Sequence, residues 1–345
     1  MKDTKRSRII RSLKEMILTS PSGISRAEAA AALKIDLRTA AGYLEELTAG
    51  GLLRCEKSAI CGKGRPGMVY RSNADNLCFV GLRISSSLQI NAVATDSLGR
   101  ELKRTSIDLL ADCSRLSAFN RILDLVKECS RIEGKSLFGI GLAVSRWLQP
   151  PLAGEDVYAN LADYLSSENG VVVYRDVIIN TEAFALARSL KCRNLALVHA
   201  GRVIEFGLVC DGVPERDFSR RENWLAHICV KPDGRRCYCG RYGCLENYVT
   251  SGARSEMNTH GNVAAANRLH GEMLGMAMVR LARKFPVEAI VLLDNGDIFF
   301  NAEEYFSSHF SGNVTFIRRL LPPPAEDASA MMAAYFELYR YTGEK

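Results

Sequence analysis

The chain has no run of about eighteen apolar residues, so no membrane-spanning helix is expected. Its start, Met1-Lys2-Asp3-Thr4-Lys5-Arg6, is basic, but no apolar stretch follows, and no secretory leader is expected. An even cysteine framework is missing too. The cysteines number eleven, and a chain of 345 residues buries enough core to need no staples. These absences make the cytoplasm the expected compartment and reduced thiols the expected state. Excess positive charge is absent beyond the first fifth of the chain. Residues 1–75 hold 14 Lys and Arg against 8 Asp and Glu, a net +6; the whole chain, 45 against 39, is also +6. Residues 76–345 therefore sum to zero. A basic module on a neutral body is the charge pattern of polyanion binding, although a merely solvated basic terminus carries the same charge. The length itself implies two or three domains.

Within residues 1–75 the spacing predicts three helices and a hairpin. Ile9, Ile10, Leu13, Ile17 and Leu18 share one face of a helix over 7–18, which Ser20-Pro21-Ser22-Gly23 ends. Ser25, with Glu28 three residues on, is a capping box that opens an alanine-rich helix to about Leu33. Asp36 is a good N-cap for a third helix over 37–48, stopped by Gly50-Gly51. Leu37, Ala40, Ala41, Leu44 and Leu47 fall on one face of that helix, and Arg38, Thr39, Gly42, Tyr43 and Glu46 on the other. Apolar strands at 52–55 and 68–71 flank the basic, glycine-rich tip Gly62-Lys63-Gly64-Arg65-Pro66-Gly67. This is the order of a winged helix-turn-helix. The DNA-binding candidates are Arg38, Thr39, Gly42 and Tyr43, whose face admits close approach to a groove, and Lys63 and Arg65 on the wing, suited to phosphates or a narrow minor groove. A plain three-helix bundle with a solvated hairpin is the alternative.

Eight cysteines are scattered along the chain. The other three, Cys237, Cys239 and Cys244, lie within eight residues of one another, with His227 upstream. Three thiolates and an imidazole make a full tetrahedral shell for Zn²⁺. Four filled positions leave no room for a reacting water, so the expected role is structural. Gly240 and Gly243 let the backbone bring the thiolates to one centre. The alternatives are four unconnected residues or a reactive thiol pair.

Two distant segments resemble one family. Gly23-Ile24-Ser25-Arg26-Ala27-Glu28, Leu44-Glu45-Glu46-Leu47 through Gly51-Leu52, and Gly64-Arg65-Pro66 are similar to the N-terminus of repressors of the ROK family, which joins repressors and sugar kinases. Cys237-Tyr238-Cys239-Gly240-Arg241-Tyr242-Gly243-Cys244-Leu245-Glu246, with His227, resembles that family's cysteine signature. The resemblance implies an α/β architecture: a winged helix-turn-helix over 1–75, a first actin-like (ribonuclease-H-like) lobe over 76–193 and a second lobe with the zinc site over 194–345. It also implies that the metal-bound His faces a sugar, and it links the chain to carbohydrate metabolism. Strand patterns at 78–84, 88–94, 137–144, 170–174, 195–199, 203–210 and 288–293 fit such lobes. Helices are expected near 117–133, 182–188, 247–257, 264–284 and 325–341.

The family's kinase positions are altered. A sugar kinase needs a phosphate cradle, Mg²⁺ held by acids and a carboxylate base. Where the family has Asp-x-Gly-Gly-Thr, this chain has Arg83-Ile84-Ser85-Ser86-Ser87. The second phosphate motif is matched by the bulky His199 to Gly207. The family's catalytic Asp falls on Asn180, which accepts no proton at neutral pH, and the Asn before it on Ile179. A sugar-contacting Glu falls on Trp224, leaving His227 and Glu246 of the sugar shell. The reading is therefore no enzyme and no catalytic residues: a DNA-binding regulator, a repressor in direction, whose degenerate body keeps an effector pocket at Asn180, Trp224, His227 and Glu246. Trp224 reads equally as a core aromatic that fills the vacated site. Expected partners are operator DNA, a sugar-like or diverged effector, and a second copy of the chain in a homodimer or larger homo-oligomer. Two alternatives stay open: an active sugar or amino-sugar kinase with a DNA-binding arm, and an effector-blind regulator controlled by a protein partner.

Overall fold

The computed structural model describes residues 5–18, 20, 22–57, 67–146, 152–154, 157–215, 224–258, 263–293 and 298–339. Among them the chain forms two compact units, one of residues 1–175 with 329–345, the other of 176–328.

The first unit opens with helices α1 (Lys5–Leu18), α2 (Arg26–Leu33) and α3 (Leu37–Ala49). The expected caps start the second and third. Ser25 Oγ accepts from the Glu28 N–H while the Ser25 N–H donates to the Glu28 carboxylate at 2.7 Å. Asp36 accepts from the Thr39 N–H at 2.9 Å. These bonds satisfy amides that have no partner inside the helix. Strands β2 (Leu53–Lys57) and β3 (Met68–Ser72) pair antiparallel as the wing. A two-residue strand β1 (Ile24–Ser25), not anticipated from sequence, adds to β3. Gly23 admits it: its φ is +75°, and a Cβ there would lie 2.7 Å from the Tyr70 carbonyl oxygen. Lys63 and Arg65 lie outside the described residues.

The same unit contains a sheet of β4 (Leu77–Ile84), β5 (Gln89–Thr95), β6 (Glu101–Asp108), β7 (Ser136–Val144) and β8 (Val172–Val177), with α4 (Arg115–Ser130) and α5 (Val157–Asn169). The strand order is β6-β5-β4-β7-β8; β4, β5 and β6 are antiparallel, and β7 runs parallel to β4. The second unit repeats this order. Its helix α6 (Ile178–Ser189) precedes β9 (Leu195–Ala200), β10 (Ile204–Cys210) and β11 (Val213–Pro214). Helices α7 (Glu246–Val249), α8 (Ser251–Asn258) and α9 (Val263–Lys284) follow, then β12 (Ala289–Leu293), α10 (Ile298–His309), β13 (Thr315–Arg319) and α11 (Ala325–Tyr339). The order is β11-β10-β9-β12-β13, with β12 parallel to β9 and β13. Two sheets of this one topology are the ribonuclease-H-like plan of actin-like proteins.

Several details differ from the sequence reading. Helix α6 begins at Ile178 rather than 182, so Asn180 sits in the helix instead of before it. It packs in the second unit, not the first, although the sequence pattern puts the lobe junction near 193. The reason is its surface: Ile179 to Ala187 are all buried, and the helix crosses β10 where a Cβ on Gly207 would lie 2.5 Å from the Ile179 oxygen. Helices α5 and α10 and strand β13 were not anticipated. From Ser329 onward the chain rejoins the first unit. Ala333, Ala334 and Leu338 there share one core with Ile10, Leu13 and Ile17 of α1, Leu44 of α3 and Phe79 of β4. Among the described residues no helix is long and apolar enough to cross a membrane.

Gly141 in β7 sets how closely the last helix lies on the sheet. A Cβ there would stand 1.8 Å from the Ser329 carbonyl oxygen, whereas at Gly139 the nearest atoms, side-chain carbons of Glu337 and Phe79, stand at 3.3 Å. Gly141→Ala should destabilise the protein by about 3 kcal/mol or more and Gly139→Ala by about 1 kcal/mol or less. Urea unfolding of the two variants measures this; equal losses would show that the helix is free to shift.

Candidate functional site

The cysteine loop is folded by short backbone bonds. The Val230 N–H donates to the Gly243 carbonyl at 2.8 Å and the Leu245 N–H to Ile228 at 2.9 Å, turning residues 228–245 back on themselves. The Cys237 N–H donates to Arg241 and the Gly240 N–H to Cys237, closing a tight turn with Gly240 at φ +87°. Gly243, at φ +70°, passes so near the Lys231 carbonyl that a Cβ would reach within 1.6 Å of its oxygen. This folding carries the sequence expectation into space: the ligand atoms of His227, Cys237, Cys239 and Cys244 lie within 4.8 Å of one another and can hold one metal ion.

The donor chemistry fits a soft divalent cation. Cys237 Sγ is 3.5 Å from His227 Nδ1, and Cys239 Sγ is 3.6 Å from Cys244 Sγ. The backbone N–H of Arg241 bonds the exposed Cys239 sulfur and lowers its thiol to about 7. Burial pushes the Cys244 thiol up to about 12, the neighbouring Cys239 and Cys237 adding to it. A buried thiol pressed against two others is costly to ionise unless a cation shares the site. The outward nitrogen of His227, Nε2, is 3.2 Å from the Tyr238 hydroxyl, and the two rings meet edge to face at 5.1 Å. Tyr238 was not singled out in sequence; only the turn at Cys237–Gly240 brings it over the imidazole.

The four expected pocket residues have different surroundings. Asn180 is fully buried, and its Nδ2 donates to Asp176 Oδ1 at 2.8 Å. Asp176, itself 2% exposed, also accepts from the Val177 N–H. Asp176 lies at the end of β8, four residues before Asn180 and outside the sequence motif. Trp224 is partly buried. Its ring meets Phe285 edge-on at 5.8 Å and has Lys284 Nζ over its face at 4.3 Å. That environment matches the packing reading of Trp224, with an ammonium on the ring face where a ligand would stack. Glu246 accepts from the Ile204 N–H at 3.1 Å, and its own N–H donates to Ala226 beside His227. Glu246 and His227 are thus neighbours through backbone pairing, while the hydrogen bond of Asn180 goes to Asp176.

At Arg83–Ser87, Ser85 Oγ and Ser87 Oγ are 2.7 Å apart across the turn, and Leu88 takes φ +61°. In the head, Arg38 and Gly42 of α3 are exposed, and open space surrounds the position of a Gly42 Cβ. Thr39 is partly buried, and its hydroxyl donates to Asp36 at 2.6 Å. Tyr43 packs in part against the head core. Arg6 pairs with Glu46 at 3.0 Å and Arg26 with Glu45 at 2.8 Å, so part of the head's positive charge is matched internally by α3.

No protein-family model matches the chain. Over 64 residues, 19% of the chain, it is 41% identical to the kanosamine kinase of Amycolatopsis mediterranei (strain S699). Over 118 residues, 33% of the chain, it is 31% identical to the DNA-binding transcriptional repressor Mlc of Escherichia coli (strain K12). These stretches span only 21% and 29% of those relatives. Among solved structures, a ROK family transcriptional regulator, a homologue of the E. coli MLC protein, superposes with a TM-score of 0.75 at 17% identity, over 97% of this chain and 96% of its own. The ROK hexokinase from Thermus thermophilus gives 0.64 at 17% identity, over 74% of this chain and 97% of its own. At such identities the likeness is one of fold.

Burial raises the Glu246 carboxyl above its usual 4.5, the Ile204 N–H opposing it. A raised folded-state value means that Glu246 favours folding while protonated and that this contribution fades as pH rises through the folded value. Glu246→Gln keeps an acceptor for Ile204 without the charge. The variant should gain stability relative to the parent between pH 4 and pH 7, seen as diverging denaturation midpoints; parallel pH profiles would refute the burial argument.

Proposed function

We propose that this chain, which carries the ROK-family fold from its helical head through both lobes, is a transcription regulator that reads DNA with residues 1–75 and senses, without phosphorylating, through residues 76–345. The observation that carries the reading is the head: a winged helix whose α3 presents Arg38 and the open face at Gly42 to solvent. A helix exposed in this way fits the major groove, and a basic wing tip holding Lys63 and Arg65 suits the flanking backbone. The fold comparison supports it, because the regulator structure covers 97% of this chain, head included, and the kinase structure 74%. One winged helix reads one half-site, and two half-sites about 34 Å apart call for a symmetric pair of chains.

The body is a degenerate kinase. The base position is an amide, Asn180, held by Asp176, and the phosphate turn carries Arg83 and three serines. Losing a general base costs on the order of 100- to 10,000-fold in rate, and here the phosphate cradle has changed as well. What remains is an effector site around Glu246 and His227, with Asn180 and Trp224 as its diverged positions. A kinase is the second reading, and Asp176 favours it, since a buried carboxylate lies one hydrogen bond from the expected base position. Sugar-dependent ATP turnover abolished by Asp176→Asn, or by Glu182→Ala at the carboxylate buried in α6, would establish that reading.

The metal is a structural Zn²⁺ on His227, Cys237, Cys239 and Cys244. When bound it supplies the charge that lets three thiolates share one centre. His227 offers Nδ1, the nitrogen on the sulfur side, which leaves Nε2–H to donate to the Tyr238 hydroxyl. Tyr238→Phe keeps the ring and removes that acceptor. It should speed zinc loss to a chelator about tenfold, with one zinc per chain before chelation and none in Cys244→Ser, by elemental analysis.

A band shift on the DNA upstream of the chain's own coding sequence tests the main reading. Sequence-selective, salt-sensitive binding is expected. Arg38→Ala should cut discrimination between specific and random duplex by about 1–3 kcal/mol, and Lys63→Ala should weaken both alike. Equal binding to any duplex, or none, would exclude it.

A further inference from the structure

A cavity of about 230 Å³ lies in the first unit, between the winged-helix head and the β5–β6 turn of the first lobe. Its apolar floor includes Ile17 of α1 and Leu338 of the last helix, both fully buried. Its polar wall is the outer face of the wing, where Arg54 of β2 and Arg71 of β3 stand directly opposite each other in the strand register. Like charges directly across a strand pair are unfavourable. Glu56 bridges this pair, accepting from Arg54 Nε at 3.0 Å and from Arg71 Nε at 3.2 Å. Asp75 also lines the opening, and its carbonyl oxygen accepts from Lys135 Nζ. On the facing turn Arg100 pairs with Asp96 at 2.6 Å, beside the lining residues Ser97 and Leu98. Among these groups four cations stand against three carboxylates. Opposite the wing, Leu98 at the tip of the β5–β6 turn lines the cavity while 71% exposed.

We propose that this cavity binds a small organic anion, a phosphate monoester or carboxylate, through Arg54 and Arg71, with its apolar part under Leu98. Guanidinium pairs match planar or tetrahedral oxyanions, and bonds to charged groups are about twice as strong as neutral ones. Arg54 and Arg71 face each other across the strand pair, so one anion can meet both guanidinium groups. The occupant touches both wing strands and a turn of the body, so it pins the wing to the lobe. This is a second effector site, separate from the one at Glu246 and His227. Its consequence for DNA affinity rests on the regulator reading; its binding does not.

The test is thermal unfolding of the full chain in inorganic phosphate, sulfate or acetate, with chloride at matched ionic strength as reference and no DNA present. A saturable rise in midpoint above the chloride reference is expected. Phosphate and sulfate stronger than acetate marks the phosphate ester as the natural class; acetate stronger marks the carboxylate. Arg54→Gln with Arg71→Gln should raise the concentration needed for half the effect by about tenfold or more, while Arg38→Ala leaves it unchanged. Both arginines are partly exposed, so the variants keep the fold, and their midpoints in chloride verify it. No saturable rise with any of the three anions, or a rise that the double variant retains, overturns the proposal.

Discussion

The first unit depends on one burial: the last helix lies on the sheet of the first lobe and under the winged-helix head at once. Ala333, Ala334 and Leu338 complete a core whose other members come from α1, α3, the wing and β4. Sixty to seventy residues of head bury too little apolar surface to be comfortable alone. The shared core removes that shortfall and also fixes where the head stands on the lobe. Polar contacts finish the joint. Lys14 of α1, nearly buried and pushed down from its usual value by that burial, donates to the Glu337 carbonyl at 2.6 Å. The Tyr174 hydroxyl donates to the Glu337 carboxylate at 2.7 Å, and its ring stacks on Phe336 at 5.2 Å. Gly141 allows the approach, since any side chain there would displace the helix backbone at Ser329.

The same device recurs in the second unit. Gly207 lets α6 cross β10 at backbone contact, and Gly243 lets the metal loop lie against Lys231. In each case close approach of two backbones matters more than the side chains around it. The metal loop then concentrates four ligand atoms in a span with few apolar residues to hold it. Backbone pairing between 226–230 and 243–246 does part of that work, and the proposed cation on the thiolates would do the rest. Glu246 and His227 enter through this pairing, so the proposed sensing site shares a stretch of chain with the cysteine loop.

Local signals were legible in the residues. The capping box at Ser25 and Glu28 and the cap at Asp36 act within three residues, and both helices begin where they indicate. The cysteine cluster was legible for the same reason, since three of its four ligands lie within eight residues. Strands such as β4 and β12 show as apolar runs because both faces are covered. Helices α5 and α10 and strand β13 were missed because their burial is partial and their apolar periodicity is weak. The displaced lobe junction has a different cause: Ile179 to Ala187 of α6 are buried all round, polar residues included, and such a helix does not say which sheet it will join.

By itself the sequence determined what its nearest neighbours along the chain decide: helix starts, the wing strands, and the cysteine cluster with its upstream histidine. Tertiary structure alone decided the return of residues 329–339 to the first unit, the Asp176 carboxylate behind Asn180, the Lys284 ammonium on the Trp224 face, and the cavity walled by Arg54 and Arg71. The division follows range. Caps and turns are set by a few dihedral angles and one or two hydrogen bonds within a single turn. The other contacts join residues up to 323 positions apart, as Lys14 and Glu337 are, and become favourable only once the surfaces between them are already buried.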